Sequence, residues 1–347
     1  MKIVHKFLLI IALTSPLFSF AGNEDRAGSA GATDLLINPW ARSSSWGSAG
    51  VSSINGLEAL FTNVAGLAYT DKTEMMFART NWLGTISGIG LNAAGFAQRL
   101  SESGVLGISI MSLNYGDIQI TTTELPEGGV GNFNPSAMNF NLAYAKKFSP
   151  SISGGLNFKI VSQSIASVRA QGIAIDAGIR YVTGDDDRMR FGISLRNVGA
   201  PMRYSGDGLT VTGTPQGSSG SLTMMQRSER YELPSLVNIG VAYDVVKNDN
   251  IVVEMNGMFT SNSFTKDQFG LCTEARFGSY MSLRLGYLYE ANILSEDDAT
   301  SAYQGPAGGL GFKIPAGSNG SEICIDYSYR ATYTFSGTHT AGLKITI

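Results

Sequence analysis

From Glu74 to the C-terminus, apolar and polar positions alternate with a period of two, the spacing of strands and not of helices. In the stretch 189–196, Met189, Phe191, Ile193 and Leu195 share one face, and Arg190, Gly192, Ser194 and Arg196 the other. In 173–181, Ile173, Ile175, Ala177, Ile179 and Tyr181 oppose Ala174, Asp176, Gly178 and Arg180. The stretches around Ile239, Leu285, Ile325 and Leu343 repeat the arrangement. Every apolar face is free of charge, and several end in Tyr. The spacing predicts fourteen strands, centred near residues 78, 93, 109, 141, 156, 176, 192, 240, 255, 272, 285, 308, 326 and 342, the second and twelfth rich in Gly and Ala.

Segments of this kind run about 9–12 residues, the span of a tilted membrane strand, against about 5–6 for an ordinary strand. Their connections alternate in length. "LSESG", "SPS", "GDDDR", "KNDN", "GSY" and "AGSNGS" are short, whereas "DIQITTTELPEGGVGNFNP", "QSIASVRA", the stretch 201–233, "SNSFTKD" and "ANILSEDDATS" are longer. A β-sandwich would bury the apolar faces and has no reason to keep that parity. A membrane barrel turns the apolar faces to lipid and alternates short inner turns with long outer loops. The reading is an all-β fold: a 14-stranded antiparallel transmembrane β-barrel over residues 74–347.

Residues 1–21 have the layout of a secretory signal peptide: Lys2 and Lys6, an apolar run, and small residues near Ala21. The alternative, an uncleaved anchor, is disfavoured because the apolar run is short for a span. Residues 22–73 lack the period of two. Leu57, Leu60 and Phe61 form one side of a helical turn that breaks at Asn63 and Gly66. A barrel of this size needs its lumen filled, so this segment is expected inside as a plug, with Leu57, Leu60, Phe61, Leu67 and Tyr69 buried and Gly66 allowing a tight turn.

Composition narrows the functions. Charged residues are 15% of the chain, below the usual quarter, and 42 of 347 residues are Gly. A net charge of −3 offers no electrostatic case for nucleic-acid binding. Cys272 and Cys324 fall on separate strands and are expected unpaired. His5 lies in the signal segment and His339 near the last strand, with no nucleophile elbow nearby, so no enzyme is expected. "GIGLNAAG" at 88–95 lacks phosphate-loop spacing, and its glycines suit a strand packed beside the plug. Asp185, Asp186 and Asp187 lack spaced calcium ligands and read as a solvated turn. No cofactor or metal is implied.

The polar faces place Arg79, Arg180, Arg190, Arg196, Arg276, Arg284, Arg330 and Lys344 in the lumen, with Asp176, Asp244, Glu254, Glu274, Glu290 and Asp326. Mixed signs fit a polar pore, or a filled lumen in which charges pair; scaffolding pairs are the favoured reading. The 201–233 connection carries Met202, Tyr204, Leu222, Met224, Met225 and Tyr231, either an adaptable contact surface or a disordered or self-packed loop, since Gly and Ser dominate its middle.

"LLINPWARSSSWGSAGV", with Ala41, Arg42, Gly47 and Ala49, followed by "LEALFTNVAGLAY", with Leu60, Phe61, Asn63, Ala65, Gly66 and Leu67, resembles the opening of FadL-like outer-membrane barrels, especially the PorV/PorQ family of the type IX secretion system. Val64 stands where the family's N-P-A-G-L motif has Pro, and "NVGAPMRYSGDGL" at 197–209 resembles a further PorV stretch. The resemblance implies an outer-membrane accessory protein in a diderm, Bacteroidota-like bacterium. It would contact the bilayer and lipopolysaccharide. It would bind the large translocon barrel (SprA/Sov-like) and the C-terminal signal domains of exported cargo, and pass cargo to a surface sortase complex. The FadL side of the resemblance implies the alternative, a passive channel for hydrophobic small molecules such as long-chain fatty acids.

Overall fold

The computed structural model describes residues 22, 24–84, 88–217, 219–316, 320–333 and 335–347; residues 1–21, expected from the sequence to be a signal peptide, lie outside them. Fourteen strands form the wall: β1 (Thr73–Asn81), β2 (Gly90–Arg99), β3 (Gly104–Asn114), β4 (Ser136–Lys147), β5 (Ile152–Ile165), β6 (Val168–Thr183), β7 (Met189–Gly199), β8 (Leu236–Lys247), β9 (Ile251–Asn262), β10 (Gln268–Phe277), β11 (Met281–Glu290), β12 (Tyr303–Pro315), β13 (Glu322–Thr332) and β14 (Thr338–Thr346). Each pairs antiparallel with its sequence neighbours. The ladder β1–β14, from Glu74↔Thr346 to Asn81↔His339, closes the barrel. All fourteen expected strands form, the two Gly/Ala-rich ones included, because closure satisfies every backbone group whether or not the side chains favour strand.

Burial is inverted relative to a soluble domain. Ile173, Ile179 and Leu285 are 62, 60 and 56% exposed, while their polar neighbours Arg180, Arg284 and Glu274 are 4, 4 and 1% exposed. An apolar belt faces outward and a polar wall faces a filled interior, the arrangement that lipid outside requires. Among the described residues no helix is long and apolar enough to cross a membrane.

Turns of a few residues join strands at one end, and the longer connections 115–135, 200–235 and 291–302 gather at the other. One connection differs from expectation. "QSIASVRA" is strand, not loop: Ile165 pairs with Val168 across a two-residue turn at Ala166 and Ser167. β5 and β6 therefore reach 14 and 16 residues. Just before the turn Ser162 and Ser164 pair with Gln171 and Arg169 on the face that carries Ile160 and Ile173 further down, so the apolar alternation ends before the hydrogen-bond ladder does.

The segment before β1 folds into the lumen as a chain of single turns: Thr33–Leu36, Ala41–Ser44, Gly56–Glu58, Ala59–Thr62 and Val64–Tyr69. Trp46, Leu57 and Leu67 are fully buried. No helix here is long enough to stand alone; the plug is held by the wall. Inward glycines make seats for it. A Cβ at Gly95 would lie 2.5 Å from Leu57 Cδ2, one at Gly192 2.5 Å from the Val51 carbonyl oxygen, and one at Gly286 2.5 Å from the Trp46 carbonyl carbon.

Candidate functional site

Among the described residues, the plug–wall interface concentrates buried polar chemistry. Its hinge pin is Asn63. The Oδ1 of Asn63 accepts the Ala65 N–H at 3.1 Å, capping the Val64–Tyr69 turn. Its Nδ2 donates to the Val51 carbonyl at 3.0 Å and to the Ile179 carbonyl of β6 at 3.1 Å. One amide thus fastens two plug segments to the wall. Ala65 and Leu67 are fully buried beside it, and Leu60 packs into the largest apolar cluster with Trp40 and Leu57. Gly66 serves close approach and not a left-handed turn: a Cβ there would meet the Ile54 carbonyl oxygen and, at 2.8 Å, Ala59 Cβ. Left-handed glycines of this segment include Gly47, at φ +61° beside Leu288 of β11, and Gly56, at φ +77°. Ala41 lies against the seat at Gly342, where a Cβ would sit 3.2 Å from its own.

Charges at the interface form two networks. Toward the short-turn end, Arg42 of the plug donates to Glu274 at 2.9 Å, Arg284 donates to Glu274 at 2.7 Å and to Asp326 at 2.6 Å, and Glu58 accepts the Ser43 N–H at 3.1 Å. Burial alone would lower the pKa of Arg42, but Glu274 and Glu58 outweigh it and hold the group above its ordinary value. Burial raises the pKa of Glu58, with Arg42 opposing. Arg190 bridges Asp244 at 2.5 Å and Glu254 at 2.9 Å, and Lys159 pairs with Asp176 at 2.7 Å. The second plug contact is Asp34, which accepts from Asn139 at 2.9 Å and Gln163 at 2.6 Å. Burial raises its pKa against those two bonds.

Arg180, Arg196 and Arg330 are inward and lack a carboxylate within salt-bridge distance among the described residues. Arg180 donates to Asn55 Oδ1 at 2.5 Å and stacks on Tyr69. Arg196 covers the Phe61 ring at 4.1 Å, and Arg330 the Tyr303 ring at 3.7 Å. Lys344 approaches Glu74 at 3.9 Å, while Arg276 is the half-exposed member of the lumenal set. Cys272 and Cys324 are both free, with Cys272 buried.

Two expectations need correction. Arg79 is not lumenal. It lies on the outer face with Met75 and Phe77, donating to Asn92 at 2.8 Å, because Glu74, Met76 and Ala78 face the plug and fix the phase of β1. The candidate contact set of the 201–233 connection also divides. Met202 is 2% exposed, and Tyr204 and Tyr231 both donate to Gln163 Oε1, at 3.1 and 2.9 Å. These three pack down with Ala32, Leu35 and Leu233 as a cap on the lumen. Met224 and Met225 stay exposed on a hairpin, Thr210–Gly213 with Leu222–Met225. Backbone pairing of Met202 with Tyr231 divides the set, and no composition signal marks that pairing.

Among the described residues, several cavities lie between plug and wall, and two of them are large enough for a small solute. One, of about 220 Å³, lies at the short-turn end among Arg42, Glu58, Glu274, Lys313, Asp326 and Lys344. The other, of about 190 Å³, lies toward the long-loop end, between Leu36 and Phe61 of the plug and Leu236, Met258, Leu288 and Tyr303 of the wall.

No family model and no curated protein matches the sequence. Solved structures do match in fold. The toluene transporter TbuX of Ralstonia pickettii aligns with a TM-score of 0.51 at 13% identity, covering 84% of this chain and 93% of that one. The toluene transporter TodX of Pseudomonas putida gives 0.53 at 11% identity, covering 85% and 93%. A ΔS2 mutant of TodX, a monoaromatic hydrocarbon channel, gives 0.55 at 12%, covering 89% and 97%. No family or sequence match carries the PorV/PorQ assignment. What the comparisons share with this chain is the architecture, a closed FadL-like barrel.

Proposed function

We propose that the protein is an outer-membrane barrel that admits small hydrophobic molecules passively, its long connections facing outward. The observation that carries this reading is the cavity of about 190 Å³ at the long-loop end, where an apolar part walled by Phe61, Leu236, Met258 and Leu288 adjoins a polar part that includes Asn238, Thr260 and Glu290. An apolar cavity of about 150 Å³ suffices for a benzene ring. The fold neighbours are transporters or channels of toluene and monoaromatic hydrocarbons, which supports the same solute size. The plug separates the two cavities, so passage requires the plug to shift, and the short turns and cation–aromatic stacks of the plug are elements that can rearrange without breaking the barrel. Uptake of radiolabelled toluene into proteoliposomes tests the reading. Faster equilibration than in protein-free liposomes is expected, and equal rates would sink it.

A second reading, the secretion-accessory role with translocon, cargo and sortase partners, is favoured by one feature: the exposed hairpin bearing Val211, Leu222, Met224 and Met225. Such an apolar surface outside the lipid belt suits a protein partner. Affinity purification from solubilised membranes tests it; recovery of the barrel without any translocon or cargo would count against it.

A further inference from the structure

The cavity at the long-loop end is not purely apolar. Arg196 and Arg330 both line it, and each is only 6% exposed. Arg196 makes a single hydrogen bond, to the Leu35 carbonyl at 3.3 Å, and its Nε has no partner. The Arg330 guanidinium stacks on Tyr303, and its side chain makes no hydrogen bond or ion pair among the described residues. One carboxylate, Glu290, shares the cavity, but its oxygens are taken by Gln268 at 2.8 Å and by the Thr300 hydroxyl, and no guanidinium reaches it within 4.0 Å. Two cations against one anion leave the cavity with one positive charge uncompensated. A buried guanidinium without an anion is costly, and elsewhere in this lumen Arg42, Arg190 and Arg284 all have carboxylates. Arg330 differs from them in lining its cavity without a carboxylate partner.

We propose that this cavity binds a small organic monoanion, an aromatic carboxylate. Its carboxylate takes the fork of Arg330, which matches a carboxylate in two parallel hydrogen bonds, and its ring lies against Phe61, Leu236, Met258 and Leu288. The volume of about 190 Å³ holds one ring and its carboxylate. An inorganic anion would leave the apolar wall uncovered. The inference deepens the hydrophobic-solute reading by naming the solute's charge.

The test is calorimetric titration of the full-length purified barrel, in a non-ionic detergent, with benzoate, toluene and inorganic phosphate. Benzoate and toluene are near-isosteres that differ in the carboxylate. Benzoate is expected to bind at least tenfold more tightly than toluene and than phosphate. Arg330→Met should abolish the preference while leaving toluene affinity within about threefold, which also shows that the variant is folded; Arg330→Lys should keep part of it, since an ammonium keeps the charge without the fork. Benzoate binding no tighter than toluene, tighter or equal phosphate binding, or a preference unchanged in Arg330→Met would overturn the proposal. Toluene binding alone would leave the hydrophobic-solute reading standing while this one falls; binding of neither would remove both.

Discussion

Replacing Asn63 by Ala removes three hydrogen bonds at once: the buried cap on Ala65, the buried donation to the Val51 carbonyl and the part-buried donation to the Ile179 carbonyl. The cap is worth about 1 kcal/mol. Each donation is worth about 1 kcal/mol, the typical net value of an intramolecular hydrogen bond. The docked plug should lose about 3 kcal/mol in all, and the barrel ladder, which the side chain does not enter, should lose nothing. Hydrogen–deuterium exchange reads this locally. Amides of residues 57–69 should exchange about a hundredfold faster, at about 1.4 kcal/mol per decade, while those of β9 to β12 keep their protection. Asn63→Ser retains a capping oxygen and should recover about 1 kcal/mol of the loss. If Asn63→Ala accelerates the plug amides less than fivefold, Asn63 is not the fastening, and the energetics assigned to it are wrong.

Glu274→Gln takes the shared carboxylate from Arg42 and Arg284, and the plug should loosen by about 3–5 kcal/mol, measured as lost exchange protection at residues 41–46. Gly66→Ala overpacks the Ile54 carbonyl and should cost at least about 1–3 kcal/mol, seen as a lower urea midpoint of the Trp40 and Trp46 emission. Arg79→Leu changes only the outer face and should leave that midpoint unchanged; a loss like that of Glu274→Gln would contradict the phase of β1. Asp34 has a folded pKa raised above 3.8 by burial, so its ionisation opposes docking: plug stability from this group is greatest below the ordinary carboxylate pKa and falls as pH rises through the raised value. Asp34→Asn, which keeps an acceptor for Gln163, should therefore stabilise the plug relative to wild type at pH 8, with the advantage gone by pH 3; the difference in urea midpoint between the two proteins across that range checks the sign.

The wall was legible because a closed barrel imposes one rule on every strand. Ile173 through Tyr181 and Met189 through Leu195 alternate so cleanly that strand, face and membrane exposure follow from spacing alone. Charge served less well as a marker of the lumen. It misplaced Arg79, whose phase depends on Met76 and Ala78 meeting the plug. Lys159 went unnoticed although it alternates with Phe158 and Ile160, so the same spacing could have found it. Within the plug, burial of Leu57, Leu60 and Leu67 followed from apolar residues that had no lipid to face. The partners of that segment did not: Asp34 with Gln163, Arg42 with Glu274 and Asn63 with Ile179 are separated by more than a hundred residues and meet only because the barrel closes. The division of the 201–233 connection into a buried cap and an exposed hairpin has the same origin in long-range pairing.

The central claim is that residues before β1 sit in the lumen against named positions of the wall. Ala41 and Gly342 test it most directly, since a Cβ at 342 would lie 3.2 Å from that of Ala41, close to the roughly 3.5–4.5 Å of a disulfide. In a background with Cys272 and Cys324 changed to Ser, Ala41→Cys with Gly342→Cys should oxidise to a bridge joining the plug to β14, seen by mass spectrometry as one linked peptide pair. Two free, alkylatable thiols after oxidation, in a barrel that is otherwise folded, would contradict the account.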